Sequence, residues 1–188
     1  MKKNTIRIKH MCCNRCIETV TRELTTLGLR VESVKLGEAT YTESKKVKPD
    51  LIDDTLKAHG FEIITDSQEQ LVESIKTTIM ESIHHSDTLQ KSNYSEYLSE
   101  KIGKPYRFLS QVFSSHKKMT IEKYIILQKI ERAKELIEYR ELTFSEIAYQ
   151  LGYKNLQHLS TRFKAITGIS MTSYKERKNK NRNFIDEI

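Results

Sequence analysis

A chain of 188 residues, 37% hydrophobic and 30% charged, is long enough for one or two globular domains. No apolar run reaches the ~18 residues of a membrane span, and the opening MKKNTIRIKHMCC lacks a secretory apolar stretch, so a cytoplasmic protein is expected. The net charge of +7 points to a polyanionic partner, nucleic acid before membrane, and three cysteines confined to Cys12–Cys16 exclude a disulfide framework.

Residues 5–65 alternate by element. Ile6 and Ile8 lie on one face of a first strand, Thr5–His10. A cysteine loop follows. Ile17, Val20, Leu24 and Leu27 then make a helical stripe closed by Gly28. Leu29–Leu36 reads as a second strand, Gly37-Glu38 as a turn and Ala39–Thr42 as a third strand. Pro49 and Asp50 suit a helix start; that helix carries Leu51, Ile52, Leu56 and Ala58 and ends at Gly60. Phe61–Thr65 is the fourth strand. The order β-α-β-β-α-β is the ferredoxin-like arrangement.

Beyond Asp66 the pattern becomes wholly helical. Leu71, Ile75, Ile79 and Ile83 mark an amphipathic helix with no Gly/Ser/Pro linker before it, which predicts a stiff connection. His84 and His85 at its end read as partners of the helix dipole or surface residues. An internal repeat then emerges. Tyr97–Gly103 matches Glu146–Gly152, and Leu109, Ser110, Phe113, Thr120 and Tyr124 match Leu159, Ser160, Phe163, Ser170 and Tyr174. The offset is 49 residues before the turn and 50 after it, so the second turn holds one extra residue. Each copy reads as helix, tight turn, helix. Between the copies runs a long helix, Thr120–Tyr139, apolar on more than one side. A helix of ~20 residues spans ~30 Å, near the ~34 Å between successive major-groove entries on one face of DNA. The expected fold is therefore α+β: a ferredoxin-like domain, then an all-α domain with two helix-turn-helix units joined by a long helix.

Two regions carry chemistry. In the cysteine loop, Cys13 and Cys16 stand three apart at the mouth of a helix, where unpaired N–H groups favour thiolate. Soft thiolates select Cu(I) or Zn(II). Two sulfurs suit near-linear Cu(I); tetrahedral Zn needs Cys12, His10 or a second chain as well. A thiol redox switch and an inert loop are the alternatives. On the reading helices, Pro105–His116 and Asn155–Ile166, the candidate DNA contacts are Tyr106, Arg107, Ser110 and Gln111 in the first and Asn155, Gln157, His158, Thr161, Arg162 and Lys164 in the second. Gln157 suits adenine and Arg162 guanine. Lys175, Arg177, Lys178, Lys180 and Arg182 read as a solvated basic tail adding salt-sensitive affinity. No phosphate-cradling glycine loop, supported Ser/His/Asp set or histidine metalloprotease motif is present, so no enzyme is expected.

Residues from about 67 to 178 resemble the DNA-binding domain of AraC/XylS-type transcription regulators. Lys129–Ile137 is similar to that family's linker helix, and Ile147–Tyr153, Leu159-Ser160, Phe163-Lys164 and Thr167-Gly168 to its second unit. Lys118 stands where the family usually has glycine, Met171 where it has proline and Leu159 where it has an aromatic. More weakly, residues 5–65 resemble heavy-metal-associated domains through Met11-Cys12-Cys13-Asn14-Arg15-Cys16 and Gly60-Phe61, with Cys12 as an extra cysteine. The resemblances imply a bacterial regulator that binds promoter DNA and contacts RNA polymerase, with a homodimer left open. The division expected is a metal-associated sensor domain at 1–66, a connecting helix at 67–86, the tandem reading domain at 87–178 and a basic, flexible tail at 179–188. Control by Cu(I) or Zn at the cysteines is the leading expectation, with a redox sensor or a metal-free dimerisation or docking module as the alternative.

Overall fold

A computed structural model describes residues 3–43, 47–85, 93–177, 182, 183 and 185. The chain divides into two compact units, Met1–Thr77 and Thr78–Ile188.

The first unit is a four-stranded antiparallel sheet in the order β2-β3-β1-β4, formed by β1 (Lys3–Lys9), β2 (Leu29–Lys35), β3 (Glu38–Glu43) and β4 (Glu62–Ile64). Two helices, α1 (Asn14–Thr26) and α2 (Pro49–Lys57), complete the ferredoxin-like order. One core joins the layers: Ile8 from β1, Val20 and Leu24 from α1, Ala39 and Tyr41 from β3, Ile52 and Leu56 from α2. The alternation of Ile6 and Ile8 selects the strand, and the four-residue spacing of Val20 and Leu24 selects the helix. Gly37 turns β2 into β3 at φ 75°, and a Cβ placed there would meet Thr77 Oγ1 at 2.9 Å. Thr77 belongs to the next helix, α3 (Ser67–His84), so this turn has no room for a side chain. The division between units falls inside α3, not in a loop.

The second unit is helical. The first helix-turn-helix is α4 (Tyr94–Ile102) and α5 (Tyr106–Lys117); the second is α7 (Phe144–Gln150) and α8 (Leu156–Thr167). The long α6 (Ile121–Tyr139) joins them, and α9 (Met171–Glu176) follows. The repeat seen in sequence is a repeat of packing. Leu109 and Leu159 are both fully buried, as are Phe113 and Phe163. Phe113 meets Tyr124 at 5.4 Å between ring centroids and Phe163 meets Tyr174 at 5.5 Å. Thr120 caps α6 by accepting from the Lys123 N–H, and Ser170 caps α9 by accepting from the Ser173 N–H. So the first turns of α6 correspond to α9. Gly168 ends α8 in the left-handed region at φ 78°, and Lys118 ends α5 there at φ 55°. The unusual lysine keeps the glycine's backbone conformation. Met171 takes the first helical position of α9, where proline is tolerated because no N–H is needed.

Three expectations are corrected. His84 is no surface residue: its side chain is 4% exposed, and Nε2 donates to Gln128 Oε1 at 2.9 Å. Ile166, which helical spacing from Leu156, Leu159 and Phe163 puts on the apolar face of α8, is instead 38% exposed. Arg182 of the basic tail pairs with Glu135 at 3.5 Å and Glu138 at 3.8 Å on α6; Lys178 and Lys180 lie outside the described residues. The linker helix buries polar residues as well as apolar ones: Gln128, Glu131 and Lys134 are each less than a tenth exposed.

Candidate nucleic-acid interface and thiol cluster

The reading helices present their polar faces outward because their apolar residues are spent on the core. Within α8, Leu159 and Phe163 point inward four residues apart, leaving Gln157, His158, Thr161, Arg162 and Lys164 exposed. Asn155 is exposed but occupied: its side chain caps α8 by accepting from the His158 N–H at 3.0 Å. That leaves its amide NH2 to donate. Gln157 Nε2 stands 3.5 Å from Thr161 Oγ1, so these two groups share one ridge of the helix.

In α5, Arg107 and Gln111 are exposed and Ser110 is half-buried. By the 50-residue offset, Arg107 corresponds to Gln157 and Gln111 to Thr161. Tyr106 is half-buried, and its hydroxyl donates to Glu122 on α6. That hydrogen bond holds the Glu122 carboxyl below the usual carboxylate range. Burial, then the same carboxylate, pushes the Tyr106 phenol up. Tyr106 therefore ties the start of α5 to the linker helix.

Phe108 was missed in the sequence. It is 45% exposed beside Arg107, and Lys104 Nζ lies 5.6 Å from its ring centroid. An exposed aromatic on a reading helix can meet a thymine methyl. Its offset partner is His158, so an outward position at that step was open to inference from the repeat.

In the first unit, the Sγ atoms of Cys12, Cys13 and Cys16 all lie within 4.8 Å of one another. Cys13 Sγ and Cys16 Sγ are 3.6 Å apart. Cys13 is the N-cap of α1, and the neighbouring Met11 is buried in the core, which anchors the loop. His10 stands at φ 65° before the loop and contributes its carbonyl, which accepts from Cys16 Sγ at 3.9 Å. Its imidazole is outside the converging group. Burial pushes the Cys13 thiol up. The Cys16 N–H and thiol, the Arg15 N–H and the Cys12 thiol outweigh it, and the pKa falls below its ordinary value. Three soft, half-buried donors at a helix N-terminus fit a thiophilic ion.

Two helix-turn-helix units of repeated packing, joined by one linker helix, define a tandem helix-turn-helix protein. Residues 98–177 match the family model described as "Helix-turn-helix domain", and this region is a domain of the AraC type. Among curated relatives, the HTH-type transcriptional activator RhaR of Salmonella dublin is 27% identical over 128 residues, covering 66% of this chain and 43% of that protein. RhaR of Enterobacter sp. (strain 638) is 28% identical over 113 residues, covering 60% of this chain and 38% of that one. The chain thus spans less than half the length of these relatives. Among solved structures, the C-terminal domain of AraT, a response regulator from Geobacillus stearothermophilus, superposes with a TM-score of 0.50 at 22% identity, covering 63% of this chain and 93% of that one. That likeness concerns the fold. Among the described residues, no helix is long and apolar enough to cross a membrane.

Proposed function

We propose that this chain is a cytoplasmic, sequence-specific transcription regulator that binds promoter DNA through both reading helices. The observation that carries this is the duplicated packing of α4–α5 and α7–α8, each leaving one polar helix face outward. Arg107, Gln111, Gln157, His158, Thr161, Arg162 and Lys164 supply base and phosphate contacts, with Asn155 and Ser110 at the edges of that set and Tyr106 setting the angle of α5. Contact with RNA polymerase is part of this reading, in keeping with the activator name of the RhaR relatives. The expected operator is asymmetric and covers two adjacent major-groove turns.

The thiol cluster is the control input. Cys13 and Cys16, with Cys12, would hold a soft ion such as Cu(I) or Zn(II), which would supply positive charge between the thiolates. Because Cys13 is the N-cap of α1, a change in the loop would reach the start of that helix. A ligand alters DNA affinity only if it binds the two forms of the protein unequally. The 3.6 Å between Cys13 and Cys16 sulfurs also suits a disulfide, so a redox input is the second reading.

The test is duplex selection from a randomised pool, followed by binding curves with Cu(I), with Zn(II) and without metal under reducing conditions. Recovery of a consensus spanning two groove turns, with affinity shifted by metal, supports the reading. No consensus refutes DNA recognition. Curves that coincide with and without metal, for wild type and Cys13→Ser/Cys16→Ser alike, refute metal control. A response to peroxide that thiol reverses, in metal-free protein, establishes the redox reading instead.

A further inference from the structure

We propose that Lys129 is the positioning residue that locks the two reading units into one relative orientation, by presenting a single ammonium to Tyr94 of the first and Tyr153 of the second. The inference rests on the DNA-binding reading above and adds how the spacing of the two heads is fixed.

Lys129 lies midway along α6, the helix that joins the two units. Its Nζ is 5.4 Å from the Tyr94 ring centroid and 5.4 Å from the Tyr153 ring centroid. Tyr94 opens α4, and Tyr153 sits in the turn between α7 and α8. One cation thus bridges the entrance of the first unit and the turn of the second. Both distances fall within the ~6 Å at which a ring face attracts a cation.

The site is an unfavourable place for a charge unless the charge has a use. Burial pulls the Lys129 pKa down to about 8. No carboxylate is paired with it in the described residues. A methionine of similar length would fill the space without that desolvation cost, and replacing buried charges by apolar residues is often neutral or stabilising. What an apolar residue lacks is direction. A cation prefers the face of a ring to its edge, so two rings around one ammonium are held at defined angles. The tyrosines support this. The Tyr153 hydroxyl is buried with no hydrogen-bond partner among the described residues, so no hydrogen bond there fixes the ring. The Tyr94 hydroxyl is within 3.3 Å of Ser82 Oγ, and its ring packs T-shaped with that of Tyr97 at 6.2 Å.

The experiment uses the full chain and the duplex that wild type selects from a randomised pool. Two base pairs inserted between the two contacted segments rotate one by roughly 70° relative to the other. Wild type is expected to lose at least about tenfold in affinity on that insertion, as one head loses its contacts. Lys129→Met is expected to lose less than about threefold, while Lys129→Arg, which keeps a ring-facing cation, follows wild type. A Lys129→Met penalty equal to that of wild type overturns the proposal. A second readout needs no DNA. Spin labels on noncanonical residues at the exposed positions Gln111 and Ala165, with the cysteines left intact, report the distance between the heads. A narrow distribution in wild type and Lys129→Arg that broadens in Lys129→Met supports the lock; identical distributions overturn it. If wild type selects no duplex, the DNA-binding reading fails, and the label distances still decide the lock.

Discussion

Removing Cys12 tests whether the thiol cluster is a two-sulfur or a three-sulfur site. A thiolate–metal bond is about 2.3 Å long, so two sulfurs on opposite sides of one ion stand about 4.6 Å apart. Cys13 and Cys16 sulfurs are 3.6 Å apart. That separation is about 1 Å too short for a linear pair, which leaves room for a third sulfur. Cys12, whose sulfur is within 4.8 Å of both others, is placed to fill it. This spacing favours a three-sulfur set over a near-linear pair. Cys12→Ser should therefore weaken Cu(I) or Zn(II) binding by more than the roughly 10–100-fold typical of losing an outer-shell partner. Anaerobic titration against a competing chelator measures this, alongside Cys13→Ser and Cys16→Ser. His10→Ala should leave the affinity within about threefold, because its imidazole lies outside the group. Wild-type affinity in Cys12→Ser, with loss only in the other two, would refute the geometric argument and restore the linear pair.

Lys118→Gly should stabilise the protein. A left-handed residue with a Cβ costs roughly 1–2 kcal/mol, and the added freedom of glycine in the unfolded chain returns about 0.4–1 kcal/mol of that. A net gain of up to about 1.6 kcal/mol, raising Tm by up to roughly 6 °C in a thermal melt, is expected, and a lower Tm would contradict the strain at φ 55°. Glu135 should contribute stability that acid removes. The His84 ring, its Nδ1 3.9 Å away, and then hydrogen bonds from Arg132 and Tyr139 outweigh burial and hold its carboxyl well below the usual 4.5. A carboxyl depressed in the folded state stabilises above its unfolded pKa and loses that contribution as pH falls through the folded value. The Tm gap between wild type and Glu135→Gln should then be full near pH 6 and shrink below about pH 4. A gap that stays constant into acid would rule this out.

The repeat was the most legible feature because it is written in large apolar side chains at fixed offsets. Leu109 with Leu159 and Phe113 with Phe163 announce the same packing twice, and the Thr120 and Ser170 caps mark the same helix start. The ferredoxin-like sheet was legible for a similar reason: Ile6 and Ile8 alternate, while Val20 and Leu24 lie one helical turn apart. Strand ends moved by a residue or two, as in β4, read as Phe61–Thr65 and formed by Glu62–Ile64. What stayed hidden were the polar groups inside. Gln128, Glu131 and Lys134 look solvent-facing by type, and only the positions of their partners show why they are buried. Lys134 Nζ is 2.7 Å from Glu131 Oε1, and Gln128 Nε2 donates to the Tyr124 hydroxyl at 3.0 Å. His84 belongs to the same class, since no local pattern reveals a partner 44 residues away. The sulfur separation that decides the thiol geometry is likewise a property of the folded loop.

The basic tail divides into charges with different uses, and this can be measured. Arg182 is 34% exposed and faces α6 between Glu135 and Glu138. Its neighbour Asn183 donates from the backbone N–H to Glu131 Oε2 at 3.1 Å and from Nδ2 to Glu131 Oε1 at 3.0 Å. Gln128 Nε2 reaches the Ile185 carbonyl at 2.6 Å. Four acidic or amide positions on α6, Gln128, Glu131, Glu135 and Glu138, are thus covered by this short segment. A guanidinium neutralised by two carboxylates releases few counterions from DNA, whereas one that pairs with a phosphate lowers the slope of log affinity against log salt by about 0.9 when removed. Arg162, exposed on α8, is the contrasting case. Arg162→Ala should weaken binding to the selected duplex and flatten the salt slope by roughly one unit. Arg182→Ala should leave the slope unchanged and lower Tm instead, because Glu135 and Glu138 lose a cation. Salt titrations of both variants against wild type separate the roles. An equal flattening of the slope in Arg182→Ala would show that this arginine leaves α6 for the DNA, and that the segment acts as the solvated tail its composition suggested.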